Sequence, residues 1–388
     1  MAKAESPRVA VIGAGPVGLE AALYAKAAGC AVAVYDRGQV GEHLLRWGHA
    51  RMFTPFGMNT TPLGMKALLR EKPSRDVPAE ADYLTGRQFR EAYLVPLAES
   101  EVLLEAMHLQ HAVLNVGRAT SLKKSEPDDG RRPFRLLVRA VNGPERIDTA
   151  DAVLDCTGTF NTPNWLGDGN IPAVGELAAR PHLAHGLEDV LGEKRAQFAG
   201  KSIALVGGGY SAAATVCQLA ALAEEHPDTW VFWLTNGPRG APLARLANDP
   251  LKERDRLAVK ANSLATRCDA NLEFHPQTLL DEVVCHGPDQ GFRVSGRSAG
   301  KPVSWEVERV IGCVGYRADL RLTAGLRVDE PAGRPETREP GYYLLGAKSF
   351  GRDSGFLLRD GHDQIRLVVA QLLGNPKLDL YAAAKRAA

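Results

Sequence analysis

At roughly 150 residues per domain, 388 residues make two domains or three, more than a single binding module. Hydrophobic side chains at 45% and charged ones at 24% belong to an ordinary globular chain and exclude a disordered tail, a collagen-like repeat or a coiled coil. Forty-seven basic against forty-six acidic residues give a net charge of +1, which argues against a nucleic-acid partner or an acidic membrane surface.

The opening MAKAESPRVAVIG passes from a few polar residues straight into a short apolar run, without the basic start and longer apolar core of an export signal, so a cytoplasmic protein is expected. No apolar run approaches the ~18 residues that would span a bilayer, and no membrane partner is expected. Arg8 to Ile12 reads as a buried strand that runs into Gly13-Ala14-Gly15-Pro16-Val17-Gly18 and an alanine-rich helix, Leu19 to Ala28. Ala31 to Tyr35 is a second strand ending at Asp36, eighteen residues past Gly18. This strand, glycine turn, helix and acid-tipped strand predict a dinucleotide site. Gly13 makes the tight turn, Gly15 lets the backbone approach a pyrophosphate, and Gly18 lets helix and strand pack closely. The helix start at Pro16 and Val17 faces the phosphates, while Asp36, with Arg37 beside it, accepts from a ribose hydroxyl.

Further along, Phe134 to Arg139 and Asp151 to Gly158 read as strands, the second closing in a small-residue turn with Thr157 and Gly158. Glu126 to Pro133 reads as a loop, and Glu176 to Gly200 as a connection into a second domain. There the pattern returns: Lys201 to Val206 is a strand, followed by Gly207-Gly208-Gly209-Tyr210-Ser211-Ala212 and a helix to about Leu222. The next strand, Trp230 to Leu234, ends in Thr235-Asn236-Gly237-Pro238-Arg239. A carboxylate there would repel a 2′-phosphate, whereas Thr235, Asn236 and Arg239 could bind one, which favours NADPH over NADH; Arg239 also reads as a solvated loop charge. Leu243 to Leu264 is an amphipathic helical stretch that covers the nucleotide domain or lines the substrate entrance.

Phe292 to Ser295 and Arg309 to Gly315 repeat the earlier strand pair, and Asp329 to Pro340 is a loop. Tyr342 to Gly346 is a strand, Ala347 to Gly355 a turn, and Phe356 to Leu373 a helix carrying Asp363 and Gln364. Six cysteines without a C-x-x-C pair suit neither a redox dithiol nor a zinc ribbon and read as buried free thiols. The ten histidines show no ligand spacing, so no metal is expected.

In order, VIGAGPVG with Asp36, VLDCTGT, VGGGYSA and GCVGYRADL resemble the signals of the two-dinucleotide-binding-domain flavoproteins. The resemblance implies an α/β fold of two Rossmann-like domains: a discontinuous FAD domain, 1–165 and 320–388, with an NADPH domain inserted at 166–319. Disulfide reductases of that superfamily carry a C-x-x-C or C-x-x-x-x-C pair, and the lack of one here excludes that branch and its thiol chemistry. Ser211-Ala212, the tract Trp47 to Asn59 and the helix Tyr93 to Ala98 resemble the flavin-containing and class B monooxygenases, although their linker F-x-G-x-x-x-H-x-x-x-[YFW] is absent, Phe160 being followed by Asn161-Thr162-Pro163.

That likeness implies that NADPH reduces FAD, that O2 adds at flavin C4a, and that oxygen passes from the hydroperoxide to a nitrogen or sulfur of a small molecule. By the same likeness Asn59 is the catalytic candidate beside the flavin, though an asparagine before two threonines also makes a turn or helix cap. Trp47 would stack on the flavin or fill the core, Arg51 would meet the pyrophosphate, and Val116 would offer its backbone to adenine or be an ordinary strand valine. Gly346-Ala347 stands where relatives have Gly-Asp, leaving the ribityl contact to Asp353 or a backbone group, with Gln364 on the helix whose N-terminus meets the pyrimidine ring. Two alternatives remain: a flavin reductase or dehydrogenase without oxygen transfer, and a flavoprotein that regulates a partner, against which the intact Gly207 and Gly209 argue. The pattern leaves the oligomeric state open, a homo-oligomer included.

Overall fold

The computed structural model describes residues 6–120, 132–267, 271–287, 289–351, 353 and 355–386. Most of the loop read at Glu126 to Pro133, and Cys268, lie outside them. The chain forms two compact units, Met1–Thr162 with Arg317–Ala388, and Pro163–Tyr316.

Apolar, β-branched runs such as VAVI and AVAV suit strands buried on both faces, and in the first unit they form a parallel sheet. Its strands are β1 (Arg8–Ile12), β2 (Ala31–Tyr35), β3 (Met107–His108), β7 (Ala152–Asp155) and β16 (Tyr342–Leu344), in the order β16-β7-β1-β2-β3. Between β3 and β7 the chain makes an antiparallel meander of β4 (His111–Arg118), β5 (Phe134–Ala140) and β6 (Glu145–Ala150). The period of two divides β1 between two layers. Val9 and Val11 pack with Leu19 and Leu23 of helix α1 (Pro16–Ala27), together with Ile365 and Val368 of a helix near the C-terminus, Leu358–Leu372. Ala10 and Ile12 pack instead with Val116, Phe134 and Leu136 of the meander.

The second unit repeats the plan with β8 (Ala184–His185), β9 (Ser202–Val206), β10 (Trp230–Leu234), β11 (Leu272–His275) and β15 (Arg309–Gly312), ordered β11-β10-β9-β15-β8 and parallel. Its meander is β12 (Thr278–Cys285), β13 (Phe292–Ser298) and β14 (Lys301–Val307). Ile203 and Leu205 meet Val216 and Leu219 of helix α2 (Tyr210–Glu225) and Ala261 of helix α3 (Lys252–Arg267), while Ala204 and Val206 meet Phe292, Trp305 and Val307. The fold is α/β with two Rossmann-like units.

Two elements differ from the sequence reading. The helix expected from Leu243 starts only at Lys252, because Pro250 lacks the N–H that a helix interior needs, and Asn262 holds Leu243 through both its backbone groups, at 3.0 and 2.9 Å. The connection Glu176 to Gly200 contains β8, whose two residues are too few to show a period.

Candidate cofactor sites

The parallel strands of the first unit end side by side, and β1, β7 and β16 lead into Gly13, Thr157 and Gly346 respectively. The crevice outside such carboxyl ends is where open α/β sheets take ligands. Gly13 has φ +108°, and a Cβ on it would stand 2.6 Å from Cys156 O; a Cβ on Gly18 would stand 1.8 Å from Gly13 O. Gly15 differs, since nothing lies within 4 Å of where its Cβ would be. It precedes α1, whose first turn opens with Pro16 and Val17 and has no side-chain cap. These features fit a pyrophosphate laid along the backbone at the positive end of the helix. Asp36 accepts from Ala14 N at 2.7 Å through one oxygen and from Gly38 N at 2.8 Å through the other, which fixes the carboxylate beside the turn with lone pairs to spare for ribose hydroxyls. Arg37 is exposed next to it.

Asn59 ends the short helix Phe56–Asn59 and is 3% exposed. Its Oδ1 accepts from Thr54 Oγ1 at 2.7 Å, and its Nδ2 donates to the carbonyls of Thr54 and Pro55, each at 3.1 Å. The side chain is thus committed to shaping its own loop. Arg51 is exposed and bridges to Thr85. Trp47 is half-buried, its ring against Gly86 and 6.4 Å from that of Phe160, and its buried Nε1–H has no partner among the described residues. Val116 buries its side chain in the core, on β4, an edge strand of the meander. Gln364 is 7% exposed; its Oε1 accepts from Gly346 N at 2.9 Å and its Nε2 donates to Ser349 Oγ at 2.7 Å, so it braces the turn after β16. Asp353 is exposed and accepts from Gly355 N.

Sequence reasoning missed the charged centre of this crevice. Lys348 and Asp155 are both fully buried, with Nζ 2.6 Å from Oδ2. Tyr342 OH donates to the same oxygen at 2.7 Å, Thr157 Oγ1 donates to Oδ1 at 2.7 Å, and Lys348 Nζ donates to Thr157 Oγ1 at 3.0 Å. The network locks the Thr157-Gly158 turn. The signal was an aspartate closing the apolar strand AVLD, which needs a buried partner, and a lysine following YYLLGA.

In the second unit Gly207 has φ +133°, and a Cβ on it would meet Cys313 O at 2.2 Å, whereas Gly209 has nothing within 4 Å. Trp233, also missed, is fully buried and donates Nε1–H to Gly207 O at 2.9 Å, pinning the turn from below. Tyr210, Ser211 and Ala212 open α2, which has no side-chain cap, and Arg254, bidentate to Asp249, lies 5.8 Å over the Tyr210 ring. Thr235, beside Gly208, is 3% exposed, and its hydroxyl has no partner among the described residues. Asn236 and Arg239 are exposed, and Arg239 makes no ion pair among the described residues. These residues fit a second pyrophosphate with a charged ribose substituent.

The model of the pyridine nucleotide-disulphide oxidoreductases matches residues 7–340. The chain belongs to that family. FAD and a nicotinamide nucleotide are accordingly its cofactors, and it is a flavin-dependent oxidoreductase. No curated protein sequence matches it. The family fold is shared with the bacillithiol disulfide reductase Bdr of Bacillus cereus (16% identity, 95% of this chain and 99% of the other, TM-score 0.70). It is shared likewise with the FAD-bound cadaverine monooxygenase DfoA of Erwinia amylovora (16%, 96% and 95%, 0.68) and the ornithine hydroxylase PvdA of Pseudomonas aeruginosa (18%, 95% and 99%, 0.66).

These structural neighbours include both a disulfide reductase and monooxygenases, which makes the cysteines informative. Cys30, Cys156, Cys217, Cys285 and Cys313 are free. Burial, then the Asp155 charge, pushes the Cys156 thiol well above its usual range, and burial raises that of Cys313 to about 12. The two thiols that flank the glycine turns therefore stay protonated at neutral pH. No cluster of three potential metal ligands occurs, and no helix is long and apolar enough to cross a membrane, among the described residues.

Proposed function

We propose that the chain is an FAD- and NADPH-dependent monooxygenase of the cytoplasm that oxygenates a nitrogen or sulfur of a small molecule, with O2 as co-substrate. The observation that carries this reading is the state of Cys156: the thiol beside the FAD cradle is buried, protonated and without a second cysteine in C-x-x-C spacing. Electrons then go to a diffusible acceptor rather than to a dithiol of the chain.

Under this reading the first unit is the FAD domain. Gly13, Gly15, Pro16, Val17 and Gly18 hold the pyrophosphate, Asp36 and Arg37 the ribose end, and the open edge of β4 at Val116 the adenine. Lys348, Asp155 and Gln364 fix the Thr157-Gly158 and Gly346 turns, Trp47 and Arg51 line the crevice, and Asn59 acts as a positioning residue through its loop. The second unit holds NADPH through Gly207, Gly209, Tyr210, Ser211 and Ala212, with Thr235, Asn236 and Arg239 on the 2′-phosphate. When bound, FAD supplies the two-electron chemistry and the activation of O2.

The test is NADPH oxidation by the purified holoprotein against a panel of primary amines and thioethers, with O2 uptake, peroxide and product mass followed together. A compound that accelerates NADPH oxidation, suppresses peroxide and gains one oxygen is the expected result. Oxidation that yields only peroxide across the panel, or that is accelerated instead by a low-molecular-weight disulfide, overturns the proposal in favour of a reductase.

A further inference from the structure

The helix Glu42–Arg46 is tied to the first glycine turn by Gly41 N, which donates to Ala14 O at 2.9 Å. From this helix His43 reaches Asn161, whose Nδ2 donates to His43 Nε2 at 3.0 Å. Burial, reinforced by Arg46 and Arg37, lowers the pKa of His43 below its usual value, so the ring is neutral at neutral pH. A neutral imidazole that accepts at Nε2 carries its proton on Nδ1. That N–H is buried and has no partner among the described residues, and the same holds for Trp47 Nε1–H. The rings of both residues pack near Phe160, at 5.9 and 6.4 Å, so two orphaned donors border one aromatic wall. Leaving a buried donor unmet is costly, and orphans of this kind are uncommon unless a bound group meets them.

The strand order says which group. Asp36 ends β2, Gly15 follows β1, and Phe160 and Asn161 follow β7, on the other side of β1 from β2. A dinucleotide with its ribose at Asp36 and its pyrophosphate at Gly15 therefore sends its far half towards β7. We propose that His43 Nδ1–H and Trp47 Nε1–H donate to acceptor atoms on the isoalloxazine edge of FAD, with Asn161 setting the His43 tautomer. The assignment rests on FAD as cofactor and is independent of whether oxygen is transferred.

Titration of flavin-stripped full-length protein with FAD and, separately, with ADP tests it. His43→Phe and Trp47→Phe each weaken FAD binding about tenfold and leave ADP binding unchanged, since ADP lacks the flavin half; His43→Asn, which can place an amide N–H near the Nδ1 position, recovers most of the loss. Should His43→Phe fail to fold, Trp47→Phe decides, because an aromatic ring stays at the site and the lost N–H bonds nothing among the described residues. FAD affinity equal to the parent's, or an ADP affinity that falls as far as that of FAD, overturns the assignment.

Discussion

The glycines of a fingerprint are not equivalent, and the space around each separates those that build the turn from those that admit a ligand. Gly18→Ala would drive a Cβ to 1.8 Å from Gly13 O, between helix and strand, where nothing can yield. Gly15→Ala places the same methyl where no protein atom lies within 4 Å. The expected outcome is that Gly15→Ala keeps the parental unfolding midpoint yet loses at least about tenfold in FAD affinity, whereas Gly18→Ala is recovered unfolded or strongly destabilised; a joint denaturation and FAD titration reads both. At the second site Arg239 is exposed and unpaired among the described residues, so removing it costs no structure. Arg239→Ala should raise KM for NADPH about tenfold, by loss of one charge-assisted bond, and leave KM for NADH alone. Equal effects on both nucleotides would return Arg239 to the role of a solvated loop charge.

At the scale of elements, the buried pair Lys348 and Asp155 joins β7 to the turn beyond β16 and, among the described residues, is the one ion pair with both side chains fully buried. Its net contribution is small, because two desolvated charges offset much of their attraction, but breaking it is another matter. Lys348→Met leaves Asp155 with only Tyr342 OH and the Thr157 groups, and about 3–5 kcal/mol of stability should go; adding Asp155→Leu should restore much of it. Urea unfolding of the two variants measures both effects, and additive losses would refute the coupling. This scale also shows what the sequence could not reveal. The strands flanking each glycine turn were legible because VAVI, AVAV, IALV and WVFWL are apolar and end in glycine or a polar turn. β3 and β8, two residues each, carry no period, and Lys348 and Trp233 act through partners far along the chain that no local pattern pairs. Asn59 is a candidate only through the resemblance to the monooxygenases, and its commitment to Thr54 and Pro55 is a property of the folded loop.

For the molecule as a whole, two buried titrating groups pull in opposite directions. Glu20 on α1 is 1% exposed, hydrogen-bonded by Tyr93 and, at 2.9 Å, by Thr61, and burial raises its pKa from 4.5 to about 7. Between those values the unfolded chain has released the proton that the folded one keeps, so stability falls as pH rises through that window, by about 3 kcal/mol in all. His362, 8% exposed and with no partner for Nε2 among the described residues, is lowered by burial from 6.5 to about 4, so the unfolded chain binds a proton the folded one refuses and stability falls as pH drops through that window. Glu20→Gln should therefore stabilise the protein by about 3 kcal/mol more at pH 8 than at pH 4.5, and a pH-independent difference between variant and parent would show that Glu20 does not titrate in that range.

The shared strand order has one more consequence, for synthesis. In the second unit the edge strand β8 precedes β9 in the chain, whereas the first unit takes its edge strand, β16, and the Leu358–Leu372 helix packed on α1 from beyond the second unit. A ribosome therefore releases everything the second unit needs while the first still shows a bare β7 edge and an uncovered apolar face on α1. The unit made second in sequence is the one able to finish first, and the crevice of the first unit, whose Lys348 arrives just after the last strand, closes only once translation has passed that strand.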